Sequence, residues 1–239
     1  MKDLGELKYF LGIEFARSAD GILMHQRKYA LKIISELGLG AAKPVATPLE
    51  VNAKLTTKEY DDHLGTSSDV VDELLPDPSV YQRLIGKLLY LTVTRPNLAF
   101  SVQVLSQFLQ QPKRSHMEAA MRVVKYVKNH PGQGILMSSK TTGTSEGFCD
   151  ADWAVCQHTR RSVTAFLIKL GGSLVSWKSK KQTTVSRSFA EAEYKSLTAT
   201  VVELVWLVGL IKEIGNEVQL SVNIHWDSKV NYAQKAVLF

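Results

Sequence analysis

Hydrophobic spacing along the chain changes character twice. From Leu4 to Phe15 the apolar positions run in a strand-like series. A turn follows at Ser18-Ala19-Asp20-Gly21, and Ile22–Met24 reads as the returning strand of a hairpin. Tyr29, Ala30, Ile33, Ile34 and Leu37 then recur at helical intervals, predicting a helix over Gln26–Leu37 stopped by Gly38. Three more helices are expected between 79 and 130. The first spans Ser79–Leu91. The second starts at Asn97 and presents Ala99, Val102, Leu105 and Phe108. The third is capped by Ser115, with Glu118 completing a capping box, and is stopped by Pro131-Gly132. Beyond Gly134 the period shortens. Strands are expected at Ile135–Met137, Gly147–Trp153, Val163–Leu170 and Leu174–Trp177, the last two joined by a Gly171-Gly172 turn. A long helix from Ala190 to Ile214, ended by Gly215, precedes a final strand with Val218, Leu220, Val222, Ile224 and Trp226 on one face.

This order predicts an α+β or α/β chain in two parts: residues 1–130, mostly helical, and residues 134–239, a mixed sheet with a long helix. Between Leu49 and Val80, eight acids face two lysines, with Gly65-Thr66-Ser67-Ser68 and Pro76-Asp77-Pro78 among them. That stretch is expected to be a solvated linker with little core of its own.

Composition adds bounds. The chain has 239 residues, 45% of them hydrophobic and 22% charged, which excludes wholesale disorder, collagen and coiled coil. The net charge of +6 leans towards acidic partners such as nucleic acid. Two cysteines, Cys149 and Cys156, make no disulfide scaffold, and a reducing compartment is expected. The start of the chain lacks a signal-peptide pattern, and the longest unbroken apolar run is Leu204–Ile211. The expectation is an intracellular, soluble protein that is neither secreted nor a membrane partner.

The strongest chemical signal is a set of acids at the ends of these elements. Alternation in Phe148-Cys149-Asp150-Ala151-Asp152-Trp153 puts Asp150 and Asp152 on one face of a strand, where carboxylates are uncommon. An edge strand facing solvent is the alternative explanation. On the long helix, Glu193, Leu197, Val201, Leu204, Val208 and Ile211 form one face, so Glu193 extends an apolar stripe while Glu191 joins the polar side with Lys195. A carboxylate on such a stripe costs free energy unless a cation pairs with it. A simple helix-dipole role is the competing explanation. Asp227 follows the last strand and is equally compatible with a turn or cap. The six histidines are scattered, the two cysteines lack zinc spacing, and no phosphate-binding glycine loop is present. The chemistry left is oxygen ligation of Mg²⁺ or Mn²⁺. Between Asp152 and Glu191 lie seven bases and no acid. Arg160, Arg161, Trp177, Lys178, Lys180, Lys181 and Arg187 from this segment are candidate contacts to a nucleic-acid backbone, a solvated basic face being the plainer alternative.

Several blocks resemble the end of a copia-type retrotransposon polyprotein. Residues 1–14, Met1-Lys2-Asp3-Leu4-Gly5-Glu6-Leu7-Lys8-Tyr9-Phe10-Leu11-Gly12-Ile13-Glu14, are similar to the segment after the reverse transcriptase polymerase centre. Tyr81–Tyr90 and Thr94-Arg95-Pro96-Asn97 resemble the helical region that follows, the thumb and connection. Cys149–Ala154, Thr159-Arg160-Arg161-Ser162, Ser176–Gln182 and Ala190-Glu191-Ala192-Glu193-Tyr194 resemble the family's ribonuclease H domain.

The resemblance implies a ribonuclease H-like fold and hydrolysis of the RNA strand of RNA–DNA hybrids with two Mg²⁺ ions. Asp150, Glu193 and Asp227 then occupy the first three carboxylate positions, with Asp152 as a possible substitute ligand. Some positions depart from the family. The Tyr-x-Asp-Asp polymerase motif is absent, so no polymerase centre is expected. The fourth active-site Asp has no counterpart before Phe239. Val155 stands for a usual Gly, Phe189 for a Ser and Ser228 for an Asn, and residues 232–239 match poorly. The expectation is therefore a fragment with an incomplete ribonuclease H domain and impaired activity. The alternatives are a non-catalytic nucleic-acid-binding remnant and a decayed element without selected function.

Overall fold

The computed structural model describes residues 5–50, 55–64, 72–140, 145–215 and 222–226. It is a mixed α/β structure with two four-stranded sheets. By contacts the chain divides into two compact units, residues 1–16 with 24–135 and residues 17–23 with 136–239.

The first strands are β1 (Tyr9–Phe10), β2 (Ile13–Ser18) and β3 (Gly21–His25), joined later by β4 (Gly134–Ser138) in the order β1-β2-β3-β4. The strand-like run expected over Leu4–Phe15 is broken in two, because Leu11 (φ +47°) and Gly12 (φ +84°) turn the backbone back on itself. β4, expected with the later sheet, instead pairs beside β3.

The helices of the first unit are α1 (Arg27–Glu36), α2 (Lys58–Leu64), α3 (Pro78–Leu91), α4 (Ala99–Leu105) and α5 (Arg114–Asn129). α1 ends where Gly38 takes a left-handed conformation. α3 begins with Pro78 in its first turn, and the Asp77 side chain accepts from the Ser79 N–H. The core joins Ile33, Tyr81, Leu88, Leu98, Val102, Leu105 and Val124, all buried. Arg95 is buried too. Its Nη1 donates to the His130 carbonyl at 2.8 Å, and its guanidinium lies 5.9 Å from the Tyr126 ring centre. Thr94 donates to Gln26 Oε1 at 2.8 Å and Asn97 to the Tyr126 hydroxyl at 2.8 Å. The Thr94–Asn97 motif is thus a latch tying α3, α1 and α5 together.

The acidic stretch is not a bare linker. It contains α2, and its residues 73–75 run antiparallel to 112–114, with the Leu75 N–H on the Pro112 carbonyl and the Arg114 N–H on the Glu73 carbonyl. Lys113, 3% exposed, reaches Asp61 Oδ2 at 2.6 Å and Asp72 Oδ2 at 3.1 Å. Opposite charges within the folded part draw the acids inward, which composition alone does not reveal. The capping expectation is also corrected. Lys113, not Ser115, is the N-cap of α5, and its N–H donates to His116 Nδ1 at 3.0 Å rather than to Glu118. Ser115 instead bonds Asp72 through its N–H and hydroxyl. The His116 ring stacks on Phe108 at 3.9 Å, and burial, then the Lys113 charge, push its pKa down to about 4, so it is neutral at physiological pH.

The second unit carries β5 (Ser145–Asp152), β6 (Val163–Leu170), β7 (Ser173–Lys181), α6 (Phe189–Glu213) and β8 (Val222–Trp226), with strand order β7-β6-β5-β8. β5, β6 and β7 form an antiparallel meander, and β8 lies parallel to β5 after the α6 crossover. The positions of Val218 and Leu220 lie outside the described residues. α6 packs on β5 and β6, burying Leu204 and Leu207 with Cys149, Phe166, Ile168, Val222 and Ile224. A Cβ on Gly147 would touch Leu204 and Thr200 at 3.4 Å, so the glycine lets the helix approach closely. By length and composition α6 could also cross a bilayer, a property that the apolar run counted in the sequence misses.

The buried stripe of α6 is rotated from the expected one. Ala192, Glu193, Ser196, Thr200, Leu204 and Leu207 are buried, while Leu197, Val201, Val208 and Ile211 are only half-buried. Small hydroxyl residues allow the close approach. Ser196 Oγ donates to the Asp150 carbonyl at 2.7 Å, and the Thr200 hydroxyl donates back to the Ser196 carbonyl at 2.9 Å.

Replacing Lys113 by Met leaves Asp61 and Asp72 without their cation. Burial raises each of these carboxyls, yet hydrogen bonds from Lys113 with Thr56 or Ser115 hold both below the ordinary Asp range. Their contribution is present above the unfolded-state Asp pKa and lost as pH falls through the folded values. The variant should lose about 1–3 kcal/mol near neutral pH, less than the ~3–5 kcal/mol of a fully buried pair. The smaller figure follows from carboxylates that are 35% and 32% exposed. Urea denaturation from pH 3 to 7 measures this. The parent–variant gap should shrink at the acid end, and a gap independent of pH would refute the ionic account.

Candidate active site

β5 is an internal strand, so the edge-strand explanation for its acids does not hold. Its burial alternates through the whole strand. Ser145, Gly147, Cys149 and Ala151 are buried, and Asp150 and Asp152 are exposed on the opposite face. The register sets Asp150 opposite Ala165 and Asp152 opposite Val163 on β6. On the other side, pairing with β8 reaches Cys149 opposite Trp226 among the described residues. Two residues on, the Ala151 N–H turns to carboxylates. It donates to Asp150 Oδ1 at 2.9 Å and to Glu193 Oε1 at 3.3 Å.

Asp150 and Glu193 therefore come together around one peptide nitrogen. Glu193 is 5% exposed, while Glu191 sits on the polar side, paired with Lys195 at 2.8 Å. Burial raises the Asp152 pKa, and the Asp150 charge raises it further. The Cys149 thiol behind them is pushed up to about 11, chiefly by burial, and stays protonated. No lysine or arginine among the described residues forms an ion pair with Asp150 or Asp152. Asp152 does not join the other two as a ligand group, and no cluster of three metal-ligating side chains exists among the described residues. Asp227 lies outside them.

A polar network that sequence reasoning passed over fixes the start of α6. Gln182, buried, donates to Thr164 Oγ1 and the Ala192 carbonyl, both at 3.1 Å, and accepts from Ser186 Oγ at 2.8 Å. Trp153 Nε1 donates to the Ser186 carbonyl at 3.1 Å, joining the end of β5 to the same loop. Ser188 caps α6 by accepting from the Glu191 N–H at 3.2 Å. The sequence signal is the glutamine that closes the lysine run in Ser176–Gln182.

The candidate basic contacts separate in space. Lys178 and Lys180 pair in register with Phe166 and Thr164, on the α6 side of the sheet. Trp177 is half-buried opposite Leu167 on the other face. Lys181 Nζ lies 3.7 Å from Cys156 Sγ. Arg160 is exposed with φ +53°, and the half-buried Arg161 accepts the Cys156 N–H at its carbonyl. The exposed Arg187 donates its N–H to Glu191 Oε2 at 2.8 Å.

A model of the reverse transcriptase (RNA-dependent DNA polymerase) family matches residues 1–51. The chain is 39% identical over 221 residues to the retrovirus-related Pol polyprotein from transposon RE2 of Arabidopsis thaliana, covering 92% of this chain and 14% of that protein. It is 33% identical over 218 residues to the Pol polyprotein from transposon TNT 1-94 of Nicotiana tabacum, covering 90% of this chain and 16% of that one. Over most of its length the chain is thus homologous to copia-type retrotransposon Pol polyproteins. It is also 38% identical over 208 residues to an uncharacterized mitochondrial protein of Arabidopsis thaliana, covering 86% of this chain and 80% of that protein. No solved structure matches it. Because the chain spans only a small part of the two Pol polyproteins, their whole activities do not transfer to it.

Coupling between the two strand acids is directly measurable. In an Asp150→Asn variant the Asp152 carboxyl should titrate lower, nearer the ordinary Asp value, because a like charge has gone. Carbon-13 NMR titration of the side-chain carboxyls follows it, and an unmoved Asp152 would show that the two charges do not sense each other.

Proposed function

We propose that residues 136–239 form a ribonuclease H-like unit of a retrotransposon Pol protein, acting on the RNA strand of RNA–DNA hybrids. The observation that carries this reading is the meeting of Asp150 and Glu193 at the Ala151 N–H, at the end of a central strand crossed by α6. Residues 1–51 match the reverse transcriptase family, and the helical residues that follow them are proposed as the end of that part.

The acids suit a hard divalent cation. Two carboxylates are gathered at one point, one of them buried, and the Asp152 carboxyl is raised by burial and then by its neighbour's charge. Mg²⁺ is commonly held by one or two carboxylates together with substrate phosphates. Asp150 and Glu193 are the residues that would hold it, with Asp227 as the third member of the proposed set. When bound, the metal supplies charge neutralisation and water activation at a scissile phosphate. The protein's own part is positioning. The Ala151 N–H orients Asp150 and Glu193, Ser196 fixes the Asp150 backbone, and Gln182 with Trp153 holds the loop that delivers Glu193. Arg160, Arg161 and Arg187 are proposed contacts to the hybrid.

The test uses purified protein, a labelled RNA–DNA hybrid, and Mg²⁺ or Mn²⁺. Cleavage of the RNA strand should fall at least ~100-fold in Asp150→Asn and in Glu193→Gln, since misplacing a reacting group by ~1 Å already costs about that much. A parent protein that does not cleave, yet binds the hybrid with a steep salt dependence, would make it a binding module instead.

A further inference from the structure

A second concave feature of the same unit lies away from the carboxylates. Between β7 and α6 runs an open groove of about 480 Å³, lined by Lys178, Lys180, Lys181 and Lys195 around Phe166 and Val202. Neither Asp150 nor Glu193 lines it. We propose that this groove seats the phosphodiester backbone of one nucleic-acid strand. The assignment rests on the nucleic-acid reading above and says where on the unit a strand is held.

Four observations lead there. First, Lys178 and Lys180 alternate along β7, so their side chains leave the same face ~6.6 Å apart. That spacing is comparable with successive phosphates along a strand. Both are exposed, and neither has an ion-pair partner among the described residues. Second, Lys195 enters from α6 already oriented. Its Nζ donates to Thr184 Oγ1 at 2.9 Å and Ser186 Oγ at 3.1 Å, and lies 2.8 Å from Glu191. Third, the lining includes four lysines and a single acid, Glu203, which accepts from Ser176 Oγ at 2.8 Å. Fourth, the floor is apolar, provided by Phe166, Ala199 and Val202. A cationic rim over an apolar floor suits a sugar–phosphate chain with bases better than a compact inorganic anion. Concavity also argues against a lipid surface, although α6 exposes Val205 and Trp206 beyond the groove. A flat bilayer meets convex ground, whereas a strand fills a channel.

Binding of a fluorescein-labelled RNA–DNA hybrid and of each single strand is measured by anisotropy, in EDTA, across a salt series. The proteins are the full chain and its Lys178→Glu/Lys180→Glu, Lys178→Arg/Lys180→Arg and Asp150→Asn/Glu193→Gln variants. Circular dichroism melts confirm that each is folded. The Glu pair should bind at least ~10-fold more weakly. Its log–log salt slope should fall by up to ~1.8 on duplex or ~1.4 on single strands, at ~0.9 or ~0.7 per lost phosphate contact. The Arg pair should keep both affinity and slope. The Asp150→Asn/Glu193→Gln variant, which sheds two negative charges, should bind no worse than the parent. A Glu pair that binds like the parent overturns the groove assignment alone if the parent still cleaves the hybrid in Mg²⁺. A parent that neither binds nor cleaves overturns the groove and the hydrolase reading together. Vesicles containing phosphatidylserine form a further arm. If the Glu pair loses vesicle binding while hybrid binding is untouched, the occupant is a lipid surface and the proposal fails.

Discussion

The end of β5 is where the architecture of the second unit and its chemistry meet. A strand held between β6 and β8 must pair its backbone on both sides, and Ala151 lies two positions past the last described rung with β8, Cys149 opposite Trp226. Its N–H still needs an acceptor, since an unmade buried hydrogen bond costs ~1–3 kcal/mol. Asp150 and Glu193 supply the oxygens. One backbone requirement thus brings two acids from distant parts of the sequence to a single point. The close seat of α6, made possible by Gly147, Ser196 and Thr200, allows Glu193 to reach it.

Buried polar groups define both units. Lys113 with Asp61 and Asp72, Arg95 with His130 and Tyr126, and Gln182 with Thr164, Ser186 and Ala192 each hold chain segments that no apolar surface would fix in register. Such groups contribute little net stability beside well-packed apolar residues. Their directional bonds nevertheless select one arrangement, because a slipped alternative leaves donors and acceptors unmatched. The same logic separates the basic residues. The pleat sends Lys178 and Lys180 to the α6 side and Trp177 to the other, so one stretch of sequence serves two surfaces.

Local patterns carried much of this protein. Alternation through Gly147–Asp152 placed Asp150 and Asp152 on one face, and helical periodicity separated Glu193 from Glu191, because both periods are fixed by backbone geometry within a few residues. Turn chemistry likewise marked Gly38 and the hairpin after Ser18. What tertiary structure decided were pairings between distant residues. Charge counting could not know that Lys113 would pair with both Asp61 and Asp72, nor that His116 rather than Glu118 would complete the α5 cap. The apolar stripe of α6 could not reveal that Ser196 and Thr200 would face the sheet, since hydroxyls that bond to backbone carbonyls pack as closely as methyl groups. Sequence fixes which side of an element a residue takes, because that depends on its immediate neighbours. Which distant partner it meets depends on closing the whole chain, and here that closure set Asp150 beside Glu193 and β4 beside β3.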